Sequence, residues 1–295
     1  MDLKQLACFV AVSEELNFHR AARRMHISQP PFSRQIANLE SAVGVTLLER
    51  SPQSVRLTEA GAALLPIARQ MLQLAASAPG VAQRAARGEI GRLRVGFVGS
   101  TIFTKVPPSV GAFRRRYPEV DVSLTQLTVA KQVARLLSEE LDVGIIRQSI
   151  THPELSTFSL FKEAFYVVLP AHHPLASRSA LSLKDLGEER FVSFSRHEAP
   201  AIYEQMLQLC DAAGFSPNIV QEADPMSTVV GLVASGVGVA IVPESMTKLE
   251  VLNAVYFPLK ETKTFSEFFL AWRSKDTSRT LANFIDVLKD AFREE

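Results

Sequence analysis

Residues 28–40 read Ser-Gln-Pro-Pro-Phe-Ser-Arg-Gln-Ile-Ala-Asn-Leu-Glu, and they decide how the first part of the chain folds. Ser28 stands where an N-cap belongs. Pro30 and Pro31 suit a first helical turn, whose N–H groups have no intrahelical partner. Phe32, Ile36, Leu39 and Val43 then recur on one face, and Pro30, Ser33, Arg34 and Ala37 on the opposite one. Upstream, Leu3, Leu6, Ala7 and Val10 mark an amphipathic helix. Phe18 to Met25 mark a short second helix, with Ala21 and Ala22 small enough for close packing. Two short helices, a tight turn and a third helix with a polar outer face spell a helix-turn-helix. In such a unit the second helix of the pair enters the major groove of DNA, and residues near its start reach base edges. Gln29 suits an adenine edge, Arg34 a guanine or a phosphate, and Ser33 either base or backbone. Ser28 and Pro30 stand at the helix N-terminus, which itself favours phosphate. Periodicity alone fits a plain three-helix packing unit equally well.

The flanking sequence favours the first reading. Leu47–Arg50 and Val55–Leu57 read as two short strands around the turn Ser51-Pro52-Gln53-Ser54, a wing that places Arg50 and Arg56 beside a DNA backbone. Either arginine taken alone is also an ordinary exposed side chain. Thr58 then caps a long helix with Glu59 in its first turn, where the helix dipole favours an acid. Along it Ala60, Leu64, Ile67, Met71, Leu74 and Ala78 form a heptad-like seam, the pattern of a helix that pairs with a second chain. Packing of that seam on its own domain is the alternative. Pro79-Gly80 predicts a break or kink near residue 78, because proline costs about 3 kcal/mol inside a helix.

These residues resemble a family. Ala21-Ala22, Ser28-Gln29-Pro30, Ser33, Ile36, Leu39-Glu40, Gly44, Leu47, Arg50 and Leu57-Thr58-x-Ala60-Gly61 are similar to the LysR-type transcriptional regulators, with the spacing intact across the N-terminal segment. Met25, Val43 and Leu48 depart from the family's usual leucine, leucine and phenylalanine, all as apolar swaps. The resemblance implies a winged helix-turn-helix over 1–58, a linker and dimerisation helix over 59–90, and an effector-binding domain over 91–295. It implies that the effector domain is a two-lobed α/β module like a periplasmic binding protein. Lobe I would take about 91–161 and 266–295, lobe II about 162–265. It also implies double-stranded DNA with an inverted repeat as partner, a homodimer through the linker helix, a homotetramer built from such dimers, and contact with RNA polymerase.

The order of elements supports the two lobes independently. Leu93–Val98 is a strand, Val106, Val110 and Phe113 mark a helix, and Val120, Val122 and Leu124 alternate as a strand. A helix near 131–138 and the apolar run Leu141–Ile146 follow, and this βαβα order implies a mostly parallel sheet. A second such series begins near Phe165–Leu169 and takes in Phe191–Phe194, Ile219–Glu222 and Val237–Val242. A strand at Phe265–Trp272 and a helix over 278–292 close the chain. That these last elements return to lobe I is carried by the resemblance.

Ligands of open α/β sheets bind beyond the carboxyl ends of strands, where helix N-termini offer free N–H groups. Ser100 and Thr101, Thr125 and Thr128, and Arg147 follow the first three strands; Ser195 and the helix opening at Pro200 to Tyr203 follow one in the second lobe. The guanidinium fork of Arg147 suits a carboxylate. Helix capping is the other reading of Ser100 and Thr101, and a surface ion pair that of Arg147. By similarity to the family, Ser100, Thr101, Thr128, Arg147 and Tyr203 line the effector cleft, and its place after a strand adds Ser195. Thr128 with Arg147 is similar to the branch that senses aromatic-degradation intermediates.

Composition sets the outer bounds. The 295 residues are 47% hydrophobic and 21% charged, enough to bury a core in about two domains. A net charge of +1 argues at first against a nucleic-acid binder. Residues 1–58 carry 7 basic and 5 acidic side chains, so DNA affinity has to come from a few well-placed arginines and from paired subunits. Cys8 and Cys210 stand far apart without clustered histidines, which excludes a disulfide framework or zinc site and fits a reducing, cytoplasmic setting. No signal-type h-region and no membrane-length apolar run is present. Ala234-Ser235-Gly236-Val237-Gly238-Val239 lacks the third glycine and runs from helix into strand, the reverse of a dinucleotide loop. With no nucleophile elbow, P-loop or zinc-protease motif, no enzyme, cofactor or metal is expected. His172-His173 read as loop residues, and Arg114-Arg115-Arg116 as a solvated helix end. The sequence therefore implies a DNA-binding regulator controlled by a small, anionic effector between two α/β lobes. A solute-binding protein without a DNA role, or an enzyme on the same module, is the alternative.

Overall fold

The computed structural model describes residues 1–51, 54–259 and 264–293, and the chain divides into two compact units, Met1–Arg84 and Ala85–Glu295. In the first, α1 (Leu3–Glu15) starts at Asp2, whose carboxylate accepts from the Gln5 N–H while the Gln5 side chain accepts from the Asp2 N–H. α2 (Phe18–Arg24) is capped by Asn17, whose side-chain oxygen accepts from the Arg20 N–H at 3.0 Å. α3 (Gln29–Val43) opens at Ser28 with Pro30 and Pro31 in its first turn, but the Ser28 hydroxyl makes no capping bond. The expected N-cap holds as a position and fails as a side-chain interaction, since proline removes an N–H from that turn.

Phe32, Ile36 and Leu39 are fully buried against Phe9, Val12 and the two alanines Ala21 and Ala22. Phe18 meets Phe32 edge-on, ring centres 5.9 Å apart. Val43 is exposed rather than core, because α3 ends there and Gly44 turns the chain at φ 81°. β1 (Leu48–Arg50) pairs antiparallel with β2 (Val55–Leu57) as the wing; Pro52 and Gln53 of its expected turn lie outside the described residues. Thr58 caps α4 (Glu59–Ala86), accepting from the Gly61 N–H at 3.0 Å and donating to the Thr46 carbonyl at 2.8 Å. Gly61 is required by close approach, since a Cβ there would lie 2.1 Å from the Leu47 carbonyl oxygen.

One expectation about α4 is corrected. The helix is not broken at Pro79: 28 residues run through both Pro66 and Pro79. A proline deletes one hydrogen bond of the ladder, and the turns on either side hold the rest. The seam keeps to one face, as its spacing requires, but the chain's own core takes part of it. Ala60, Leu64 and Met71 pack on the unit's own core, whereas Ile67, Leu74 and Ala78 stay exposed, with Val81 extending their line.

In the second unit, β3 (Ile90–Phe97), α5 (Val106–Arg116), β4 (Glu119–Gln126), α6 (Val129–Leu137) and β5 (Val143–Ile146) supply the βαβα run. β6 (Leu155–Glu163), which the sequence reading missed, lies at the sheet edge. The chain then builds lobe II from β7 (Phe165–Pro170), β8 (Arg190–Phe194), α7 (Pro200–Ala212), β9 (Asn218–Ala223), α8 (Met226–Ala234), β10 (Ala240–Pro243) and β11 (Ala254–Pro258). It comes back as β12 (Ser266–Arg273), between β5 and β6, and α9 (Arg279–Arg293), whose Phe284 meets Phe113 of α5 edge-on at 5.2 Å.

The lobe I sheet runs β4-β3-β5-β12-β6, parallel where β3 meets its neighbours and antiparallel at β12. In lobe II, β10 and β11 both flank β7 antiparallel, while β8 pairs parallel with β9 and, through a bridge from Phe191, with Val239 just before β10. The expectation of mostly parallel sheets is therefore corrected for lobe II and for the returning strand. Gly238 answers to close approach: a Cβ would lie 2.3 Å from the Arg190 carbonyl oxygen. At the end of α5, Arg114 donates to the Val122 carbonyl at 2.7 Å and is thus partly structural. His173 caps a short turn and approaches Glu189 at 3.2 Å. Among the described residues no helix is long and apolar enough to cross a membrane.

Candidate nucleic-acid interface and effector cleft

The start of α3 presents Ser28, Gln29, Pro30 and Arg34 exposed and Ser33 half-buried. Gln29 and Ser33 share a groove with Asn17, Phe18, Arg50 and Ser54, so the helix start and the wing face one space. Arg50 is held there by Glu40. One oxygen of that carboxylate takes the guanidinium at 2.7 Å, and the other accepts the Leu47 and Leu48 N–H groups at 2.9 and 3.2 Å. The Arg50 guanidinium also lies 4.9 Å from the centre of the Phe18 ring. Glu40 therefore ties the wing to α3, and Arg50 serves that joint as well as the surface.

The remaining arginines divide sharply. Arg24 and Arg69 share Glu14 at 2.7 and 2.8 Å, and Arg20 meets Glu15 at 3.5 Å. Hydrogen bonds from Arg69 and then Arg24 hold the Glu14 carboxyl below its ordinary value. No described carboxylate pairs with Arg34 or Arg56, both exposed. Exposed Arg23, in the last turn of α2, likewise pairs with no described carboxylate.

In the second unit a cleft of roughly 370 Å³ opens between the lobes, within the size range of small-molecule sites. Lobe I contributes Ser100, Gln126, Thr128, Lys131, Arg147 and Gln148; lobe II contributes Phe194, Glu198, Pro200, Asp224 and Met226 among others. Thr128 doubles as the cap of α6, its hydroxyl accepting from the Lys131 N–H at 3.5 Å.

Arg147 reaches the cleft wall with its donors already engaged. Its Nε donates to Ser100 Oγ at 2.8 Å, one Nη to Glu163 at 2.5 Å and to Ser266, and the other Nη to Ser245 Oγ at 3.2 Å. Phe268 lies under the guanidinium at 4.0 Å. Glu163 is bound in turn by the Ser245 N–H at 2.8 Å. Arg147 and Glu163 are 4% and 5% exposed, so this is a buried ion pair. Burial pushes the Arg147 guanidinium down from its ordinary value, against the pull of Glu163. Glu163 ends the strand that leaves lobe I, Ser266 begins the strand that returns, and Ser245 belongs to lobe II. The pair thus sits at the junction of the lobes.

The structure does not bring the other expected residues to the cleft. Thr101 is buried beside it, its hydroxyl without a hydrogen-bond partner among the described residues. Ser195 caps the turn before α7, its carbonyl accepting from the Ala199 N–H. Tyr203 is packed in the lobe II core, 5.5 Å from the Arg196 guanidinium. Gln126, Lys131, Gln148, Glu198 and Asp224 were missed. Gln148 and Asp224 follow strands that were foreseen, so the rule that led to Arg147 would have found them too.

The sequence of residues 3–62 matches the family model described as a bacterial regulatory helix-turn-helix protein of the lysR family. Residues 86–293 match the LysR substrate binding domain. The chain is 37% identical to the HTH-type transcriptional regulator AlsR of Bacillus subtilis, over 97% of this chain and 95% of that one. It is 34% identical to the Hca operon transcriptional activator HcaR of Escherichia coli, over 98% of each. Its fold is similar to that of full-length CbnR in complex with its target DNA, with a TM-score of 0.90 at 30% identity over 99% of both chains.

Proposed function

Because the chain belongs to the LysR family of DNA-binding transcriptional regulators, we propose that it reads an inverted-repeat promoter site as a homo-oligomer and that a small carboxylate in the interlobe cleft alters that reading. The matched domains are a DNA-binding and a substrate-binding module, neither of them catalytic, and this disfavours both an enzyme and a free solute-binding protein. Residues 1–58 serve as the reading head, 59–90 as the linker, and 91–295 as the effector domain. The exposed line Ile67, Leu74, Ala78 and Val81 pairs two chains, and two such dimers make the tetramer. The protein works in the cytoplasm with its DNA, and RNA polymerase is the further partner.

One observation carries the DNA reading. Arg20, Arg24, Arg50 and Arg69 are tied to the unit's own carboxylates, whereas Arg34 on the face of α3 and Arg56 on the wing are left for phosphates or bases. Gln29, Ser33 and Arg34 supply base contacts, and Ser28 and Pro30 seat the helix end against the backbone. In the cleft, the effector's carboxylate rests on Lys131 and on Thr128 at the N-terminus of α6, with the Ser100 turn beside it. Arg147 acts behind it as a positioning residue, because the lobes share its buried network. A ligand that fits one arrangement of the lobes better than another shifts the balance between them. The test is a gel shift with DNA from upstream of the protein's own gene. A retarded band at low salt is expected, and its absence contradicts the proposal.

A further inference from the structure

The cleft is electrically lopsided in a way that the family reading does not supply. On the lobe I wall the Lys131 ammonium pairs with no described carboxylate, and the other cation there, Arg147, is neutralised by buried Glu163. On the lobe II wall stand two carboxylates, Glu198 and Asp224. Asp224 has no hydrogen bond or ion pair with a described residue. Glu198 reaches one cation-capable neighbour, His197, at 4.0 Å, and that imidazole is 93% exposed. Phe194, Ile202 and Met226 on lobe II and Val98 on lobe I add apolar surface to the lining.

From this arrangement we propose that the effector is bipolar: a small, flat carboxylate whose far end carries a protonated amine. This rests on the effector-cleft reading above and names the class of molecule that the cleft takes. The carboxylate meets Lys131 and Thr128, the apolar body lies along Phe194 and Met226, and the ammonium meets Glu198 and Asp224. A simple dicarboxylate would set like charges face to face on lobe II, which costs affinity. A neutral hydroxyl would donate a hydrogen bond but leave two negative charges uncompensated. Burial, with Glu198 nearby, already holds the Asp224 carboxyl above its ordinary value, a load that an ammonium would relieve.

Three probes of one shape separate the outcomes: 4-(aminomethyl)benzoate, terephthalate and 4-methylbenzoate, titrated by calorimetry into the full chain. The amine should bind at least about fivefold tighter than either of the others, the effect of a partly exposed charge pair. Glu198→Gln with Asp224→Asn should erase that advantage and strengthen terephthalate, while Lys131→Gln should weaken all three. The proposal is overturned, with the cleft reading intact, if terephthalate or 4-methylbenzoate binds the native chain as tightly as the amine. Survival of the amine's advantage in the double variant overturns it equally. If no probe binds at millimolar concentration, or if neither Lys131→Gln nor the double variant changes any affinity, the cleft reading itself fails.

Discussion

Arg147 shows what a single residue type does and does not disclose. Its place after a buried strand was legible, and so was the use of a planar cation near a ligand cleft. Its partner was not, because Glu163 lies on a strand whose residues, Leu155–Glu163, carry no clean alternation of buried and exposed positions. The guanidinium spends its donors on Glu163 and three serines, so its removal leaves a buried carboxylate unpaired. Breaking a buried ion pair from one side costs about 3–5 kcal/mol, while replacing both partners with apolar groups is far milder. Arg147→Met should therefore lower stability by roughly 3 kcal/mol in urea unfolding, and Arg147→Met with Glu163→Leu by less than either single change. Additive losses would show that the two side chains act independently. By contrast, the α3 face needed no partner to be read: Gln29, Ser33 and Arg34 sit where period and helix start placed them.

At the scale of elements, α4 is the instructive case. A propensity scale charges Pro79 its full local cost, but a helix of 28 residues loses one hydrogen bond there and keeps its flanking turns. The seam was only half legible for a related reason. Heptad spacing identifies apolar positions without saying which of them the chain's own core will take. Ala60, Leu64 and Met71 are taken by the reading head, and Ile67 and Leu74 are left 54% and 63% exposed. If those two line the pairing surface, Ile67→Glu with Leu74→Glu should dissociate the oligomer in analytical ultracentrifugation while the circular dichroism of the fold is unchanged. An unaltered sedimentation coefficient would place the pairing surface elsewhere. Lobe II failed on sheet order for a similar reason. Strand existence follows from local pattern, whereas the antiparallel flanks of β7 depend on which distant strands find it.

Across the whole molecule, few charges are placed so that they matter. The net charge of +1 conceals an N-terminal unit in which Arg20, Arg24, Arg50 and Arg69 are neutralised internally and a second unit held by local ion networks. In the latter, Asp142 takes two hydrogen bonds from the Arg94 side chain at 3.1 and 2.6 Å and one from its N–H at 2.7 Å, with Arg273 at 3.5 Å. Burial pushes the Asp142 carboxyl up, but the bonds from Arg94 outweigh it and hold the group below its ordinary 3.8. A carboxylate depressed in the folded state adds stability above its unfolded value and loses it as pH falls through the folded one. The melting temperature should thus drop more steeply below about pH 4 in the native chain than in Asp142→Asn, which starts lower and has no such titration. Parallel curves would remove Asp142 from the acid response.

The central claim is that the exposed start of α3 reads DNA sequence, and one experiment meets it directly. The full chain and its Arg34→Ala variant are titrated by fluorescence anisotropy onto the DNA upstream of the gene and onto a scrambled duplex of equal length. The native chain should prefer its own site, and Arg34→Ala should lose about 1–3 kcal/mol of that preference while still binding the scrambled duplex through phosphates. An unchanged preference in Arg34→Ala would contradict the account.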